Sequence, residues 1–323
     1  MRIFLVLLLF SAAPAQAFLF GGASDKRAGA GLEKMRAAFA ARDCSSVLEL
    51  SPAFLEEKPP AAMREEAYGY MGSCYESAGA ADKAISLYKV ALGLYPENIL
   101  FTSRLALIYN QAGFPENAVP LFLKVLSIKS DDTDANLGLA RAYAALGFLS
   151  RAKEFYSRAV ILQDFRDQAV LREYALCMLR KRDWPEALFI TGAGAKAAPL
   201  SSFWPQVEAR VRAGQGDYHK ALPAIEGAIL LEPSRRLRLE RALYLLMGGL
   251  PRRAIEAADA ELAVDGKDAL ASVVKGMALY SLGKRTEAVP YFTAARSGGP
   301  FTAKIAGSFL DGSQKAAEDA CKK

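Results

Sequence analysis

The sequence predicts an all-α fold, a stack of short helix–turn–helix units repeated along most of the chain. Three observations predict it. Tyr75, Tyr109 and Tyr143 stand 34 residues apart, as do Gly79, Gly113 and Gly147, and Ala84, Ala118 and Ala152; three features in step at one period mark an internal repeat. The 323 residues are 52% hydrophobic and 24% charged, enough apolar material for a core and too much for wholesale disorder. Gly79, Gly113, Gly147, Gly216 and Gly283 fall where first helices should end, and Pro96, Pro233 and Pro300 stand where second helices must stop. Length alone allows about two domains of roughly 150 residues. Units that bury their apolar faces only against neighbours replace that expectation with one continuous stack.

The first element is a targeting segment. Arg2 supplies a positive start, Ile3 to Phe10 is unbroken apolar sequence, and Ala15-Gln16-Ala17 is an A-x-A cleavage site. Residues 1–17 are therefore expected to be a signal peptide, and its removal takes the net charge from +6 to +5. An uncleaved anchor is the other reading, because Phe18-Leu19-Phe20 prolongs the apolar run. No Cys stands at the cleavage point, which argues against a lipoprotein. No later segment is apolar enough to span a bilayer, so the mature chain is expected to be soluble and exported, periplasmic or secreted.

Residues 18–64 read as a linker and a degenerate first helical unit at about Asp25–Leu50, with Gly29-Ala30-Gly31 in a flexible start. Seven repeats then cover 65–302, at 65–98, 99–132, 133–166, 168–201, 202–235, 235–268 and 269–302. The first carries Tyr68, Met71, Gly72, Tyr75, Gly79, Ala84, Tyr88, Ala91 and Pro96; the second Leu105, Ala106, Tyr109, Gly113, Ala118 and Phe122. The third keeps Leu139, Ala140, Tyr143, Gly147, Ala152, Tyr156 and Ala159, and the later ones keep Ala187, Ala221, Ala254 and Ala288 amid drift. Residues 303–323 read as a terminal helix and tail.

This pattern resembles the tetratricopeptide repeat. The resemblance implies a right-handed α-solenoid. The small residues then sit where paired helices approach and a larger side chain would force them apart, with aromatics in the adjoining holes. Ala152 is expected at such a crossing, with Lys153 beside it on an exposed face.

Little material for catalysis is present. One histidine, His219, and four cysteines leave no Ser-His-Asp set and no His-rich metal site, and no C-x-x-C, H-E-x-x-H or G-x-x-x-x-G-K-[ST] motif occurs. No cofactor, no metal and no enzymatic activity are expected. Gly192-Ala193-Gly194-Ala195-Lys196-Ala197 after Leu188-Phe189-Ile190 matches a G-x-G-x-x-A dinucleotide fingerprint. That fingerprint requires a βαβ unit and an acid about 20 residues on. Here Pro199 and another helix pair follow, so a frayed second helix of the fourth repeat is the better reading. Interspersed bases and acids give no nucleic-acid face, and Arg235-Arg236-Leu237-Arg238 and Arg252-Arg253 read as solvated clusters or an anion contact.

In the repeat stack, the helix ends carrying Cys44 and Cys74 are antiparallel neighbours, so export permits a disulfide between them; two buried free thiols are the other reading. Cys177 has no evident mate, and Cys321 lies in the tail.

The resemblance also implies a concave groove lined at fixed offsets of each first helix. Those offsets give Glu66, Ser73 and Glu76, then Asn110 and Gln111 as peptide-backbone partners, then Arg141, Arg172, Arg180 and Arg210. Leu239, Leu243, Leu246, Met247, Val273, Met277 and Tyr280 follow as an apolar wall, either open to a partner helix or covered by the terminal helix. A stripe of Arg141, Arg172 and Arg210 would favour an acidic or carboxyl-terminated partner. The carboxylate clamp of chaperone-tail receptors, Lys then Asn, is absent: Gly69 and Ser73, and Ser103 and Leu107, stand in its places. The function implied is a non-enzymatic exported scaffold for a protein or peptide segment, with envelope assembly or secretion as its setting by analogy. The alternative is an accessory module of a cell-wall or glycan-processing enzyme complex.

Overall fold

The computed structural model describes residues 23–321, so the signal-peptide segment 1–17 lies outside the described residues. The chain divides into two compact units, Met1–Ala142 and Tyr143–Lys323. The first holds α1 (Ala23–Ala40), α2 (Cys44–Glu56), α3 (Ala61–Ser77), α4 (Ala81–Leu94), α5 (Ile99–Gln111) and α6 (Pro115–Ile128), and α7 (Thr133–Ala145) spans the division. The second holds α8 (Leu149–Leu162), α9 (Gln168–Lys181), α10 (Trp184–Ala197), α11 (Phe203–Gly214) and α12 (Tyr218–Leu231). It continues with α13 (Arg235–Met247), α14 (Pro251–Val264), α15 (Ala269–Ser281), α16 (Arg285–Ala295), one 3₁₀ turn (Arg296–Gly298) and α17 (Pro300–Cys321). No strand occurs among the described residues. Consecutive helices pack as hairpins that stack on one another within each unit.

The repeat sets the packing. Ala84, Ala118, Ala152, Ala187, Ala221, Ala254 and Ala288 share one repeat position, and all seven are fully buried. A methyl group is all the crossing admits. Tyr88, Phe122, Tyr156 and Phe292 fill the next position four residues on, where repeats four to six carry Thr191, Ile225 and Ala258. The rings seat in notches left by glycine: a Cβ on Gly138 would overlap the Phe122 ring, and one on Gly194 would overlap Trp204.

First helices end on a left-handed residue. Gly79 and Gly113 fill that place in unit one, at φ 67 and 81. In the fourth repeat Arg182 takes the same place at φ 58 and caps α9 without glycine's freedom. Short polar side chains start several helices: Asn98 Oδ1 accepts from the Phe101 amide at 2.8 Å, and Asp268 Oδ1 from the Leu270 and Ala271 amides at 3.0 Å.

Three expectations change. Gly29-Ala30-Gly31 is not a flexible start but lies inside α1, where Ala28, Leu32 and Met35 bury one face. Leu188–Ala197 is not frayed but lies within α10, Trp184–Ala197. Lys153 is half-buried, not exposed: its Nζ reaches Asp183 Oδ2 at 3.0 Å and Glu186 Oε2 at 3.1 Å. The hydrogen bond to Asp183 leads in raising the Lys153 pKa.

Candidate functional site

In unit one, α1, α3 and α5 line a groove of about 440 Å³. Glu66, Gly69 and Ser73 come from three successive turns on one face of α3. Phe39 closes one side from the last turn of α1, its ring tilted against that of Tyr70 of α3 at 4.6 Å. Leu100 and Phe101 close the other from the first turn of α5; Leu100 is 56% exposed. The surface is thus apolar with a polar rim, the usual composition of a peptide cradle. Gly69 keeps the floor open, since a Cβ there would lie 3.9 Å from the Phe101 ring, in ordinary contact.

The rim is fixed by internal bonds. Arg36 Nη2 donates to both Glu66 carboxylate oxygens at 2.8 and 2.9 Å, and Tyr70 Oη donates to Glu66 Oε1 at 2.5 Å. The Tyr70 bond, then those from Arg36, hold the Glu66 pKa below its usual value against the opposing effect of burial. Asn98 Nδ2 donates to Glu65 Oε1 at 2.5 Å. The Cys44–Cys74 disulfide, with Cα atoms 5.2 Å apart, joins the start of α2 to α3 one turn beyond Tyr70.

Asn110 and Gln111 sit at the end of α5. Asn110 Nδ2 donates to the Gly138 carbonyl at 2.7 Å, so it ties α5 to α7; Gln111 is exposed. Arg141 is exposed on α7.

In unit two the expected run of open bases is replaced by internal pairing. Arg210 forms two bonds to Glu240, Nε to Oε1 at 2.8 Å and Nη2 to Oε2 at 3.1 Å. Burial pushes the Glu240 carboxyl up, but the bonds from Arg210 and Tyr244 outweigh it and hold the pKa below the usual range. Arg172 lies 5.0 Å above the Phe203 ring and donates to Ser201 Oγ at 3.1 Å. Arg180 Nη1 reaches the Ala144 carbonyl at 3.4 Å. The Arg210 correction has a plain cause: the following repeat's first helix presents Glu240 opposite it, and a bidentate pair forms. Likewise Arg235 and Arg238 are not simply solvated, because they bond to the buried Asp268 and Glu261.

Of the two readings of the apolar wall, the terminal helix covers part of it. Leu239 and Val273 are core residues. Leu243 packs half-buried on the Ala242 and Leu245 cluster. Met277 and Tyr280 pack with Ile305, Phe309 and Leu310 of α17, the Tyr280 and Phe309 rings 5.0 Å apart. Met247 remains 58% exposed.

His219 is exposed at the start of α12, and Cys177 is buried, its thiol pushed up by that burial. Gly192 and Gly194 lie mid-helix, so their amides are not the free N–H groups at a helix start that a phosphate requires. Among the described residues no group of three or more His, Cys, Asp or Glu side chains is placed to hold a metal, and no helix is long and apolar enough to cross a membrane.

The sequence reading passed over Phe39, Tyr70, Leu100 and Phe101. The repeat offset that gives Glu66 gives Leu100 one unit later, so that residue was within reach. Phe39 was not, since the degenerate hairpin has lost the period.

Fold and groove together define a class, a helical-repeat protein with a cleft across its first helices. Residues 207–263 and 242–303 match the family described as tetratricopeptide repeat. A tetratricopeptide repeat protein from Parabacteroides merdae superposes with a TM-score of 0.55 at 18% identity, covering 76% of this chain and 98% of that one. YrrB, described as a TPR protein with an unusual peptide-binding site, gives 0.49 at 20% identity, over 53% of this chain and 88% of its own. The pilF protein of Pseudomonas aeruginosa gives 0.46 at 20% identity, over 70% and 97%. No curated protein matches the sequence. Residues 207–303 thus match tetratricopeptide repeats, and the fold of the chain is similar to that of a solved tetratricopeptide repeat protein.

Proposed function

We propose that this protein is a non-enzymatic scaffold that holds a protein or peptide segment in the groove of α1, α3 and α5. The carrying observation is the groove itself: an apolar floor of Gly69 and Phe101 between Phe39, Tyr70 and Leu100, with a rim already locked by Arg36–Glu66 and Asn98–Glu65. A preorganised rim lowers the ordering cost of binding. Repeat stacks of this kind commonly use such surfaces for partners. An apolar side chain in the groove is a better anchor than the acidic segment implied by the arginines, because Arg210 is already neutralised.

The reading extends to an exported setting, in envelope assembly or secretion. The A-x-A site at Ala15–Ala17 supports it, and a Cys44–Cys74 bridge suits an oxidising compartment.

The test is affinity capture from an envelope extract with the wild-type protein and Gly69→Leu, whose Cβ makes only ordinary contact with the Phe101 ring. One partner should be retained by the wild type and weakened at least about tenfold by the variant, at unchanged melting temperature. Equal capture by both would remove the groove as the site. In the same preparation, an intact mass beginning at Phe18 is expected; a mass retaining Met1 would remove cleavage after Ala17 and leave the uncleaved anchor as the reading.

A further inference from the structure

The 34-residue period lengthens by one between the third and fourth repeats, where an extra residue separates 133–166 from 168–201, and shortens by one between the fifth and sixth. Where it lengthens, Asp164 and Phe165 are both left-handed, at φ 51 and 55, and neither is glycine. Asp164 caps α8, where its amide bonds to the Ile161 carbonyl and that of Phe165 to the Val160 carbonyl, but a second left-handed residue with a side chain is unfavourable, and strain of this kind collects where a side chain must be aimed. What is aimed here is the Phe165 ring, which meets Phe189 of α10 edge to face at 5.9 Å. Phe189 is nevertheless 60% exposed.

The two rings wall a groove of about 840 Å³ whose floor includes Leu188, Gly192 and Ala193. Gly192 is a second cost, since glycine inside a helix is less favourable than alanine. Nothing among the described residues requires it: a Cβ there would meet nothing within 4 Å. Gly194, one neighbour away, is accounted for by Trp204. A left-handed Phe165 beyond the cap of α8, the exposed Phe189 ring and a bare helix surface thus coincide at one place.

The rim is basic. Lys196 is exposed and makes no ion pair among the described residues. Arg166 pairs with Asp164 at 3.2 Å, both largely exposed, an arrangement of little strength. We propose that this groove is a second docking site. It takes a protein segment that lays one large apolar side chain in the groove, against the Phe165–Phe189 ring pair and over Gly192, and sets a carboxylate against Lys196. The site is built by α10 and the α8–α9 connection, so it is independent of the groove in unit one.

The test uses the isotopically labelled protein and a blocked pentapeptide, Ala-Phe-Glu-Glu-Ala, followed by amide chemical shifts. Saturable shifts are expected at residues 164–166 and 192–196. Gly192→Leu fills open space and should weaken binding at least about tenfold at unchanged melting temperature; Lys196→Glu should weaken it about fivefold. Replacing the peptide's Phe by Ala, or both Glu by Lys, should each weaken binding about tenfold. The proposal is overturned by no saturable shift at millimolar peptide, by shifts at Gly69 and Leu100 instead, by Gly192→Leu binding like wild type, or by the lysine peptide binding equally well.

Discussion

The hairpins of α1 to α4 and those of α13 to α16 follow one repeat plan and stabilise it by different chemistry. In the first region the buried polar side chain is a neutral hydroxyl, Ser51, and a covalent bond joins α2 to α3. In the second, two carboxylates are buried, Glu261 and Asp268, each bonded to an arginine of α13. A repeat therefore fixes which helices meet and leaves open what joins them. The first region should be vulnerable to reductant and the second to acid, and hydrogen exchange resolved by peptide separates the two.

The largest effect is expected from the covalent bond. A disulfide closing a separation of 30 residues is worth up to about 3–4 kcal/mol in the loop-entropy model. Reduction, or Cys44→Ser with Cys74→Ser, should raise exchange in residues 23–94 and leave residues 235–295 unchanged. Exchange that rises equally in both would break the comparison.

A smaller effect is expected at Asp268. Its side chain is fully buried, caps α15 and pairs with Arg235, so Asp268→Ala should destabilise the second region by about 2 kcal/mol. Burial acts to raise its pKa, but the Ala271 amide and Arg235 outweigh that and hold it below the ordinary value. A depressed folded pKa gives stability that is complete above the unfolded value of about 3.9 and is lost as pH falls through the folded one. The gap between wild type and Asp268→Ala should therefore narrow below about pH 4. A gap constant from neutral pH down to pH 3 would show that this carboxylate does not carry the acid sensitivity.

The smallest effect concerns the turn that all repeats share. Arg182 holds at φ 58 the conformation that Gly79 holds at φ 67. Arg182→Gly should stabilise by about 0.5–1 kcal/mol, while Gly79→Arg should cost a similar amount. Melting shifts of the same sign in both variants would mean that the two turns are not equivalent.

What the sequence disclosed follows from what a period reports. It reports positions that every unit must fill alike, hence the alanine at each crossing and the residue that ends each first helix. It is silent on contacts made by one unit only. Glu240 opposite Arg210 and Asp183 beside Lys153 are such pairs, and each turns an expected surface charge into a structural one. The glycines of α1 misled because glycine signals a loop locally, whereas burial of Ala28, Leu32 and Met35 decides the helix. The groove in unit one was half legible. Glu66 and Ser73 fall on repeat offsets, but Phe39 comes from a hairpin whose period has decayed.

The Phe122 ring seated over Gly138 has a consequence for how this sequence can change with time. Any side chain at 138 collides with the ring, and loss of the ring leaves a void where 138 has nothing to offer. Each single step from this pair is harmful, while a paired change to a side chain at 138 and a smaller residue at 122 restores the fit. The two positions are inherited as one character. Among related sequences they should be found changed together or not at all.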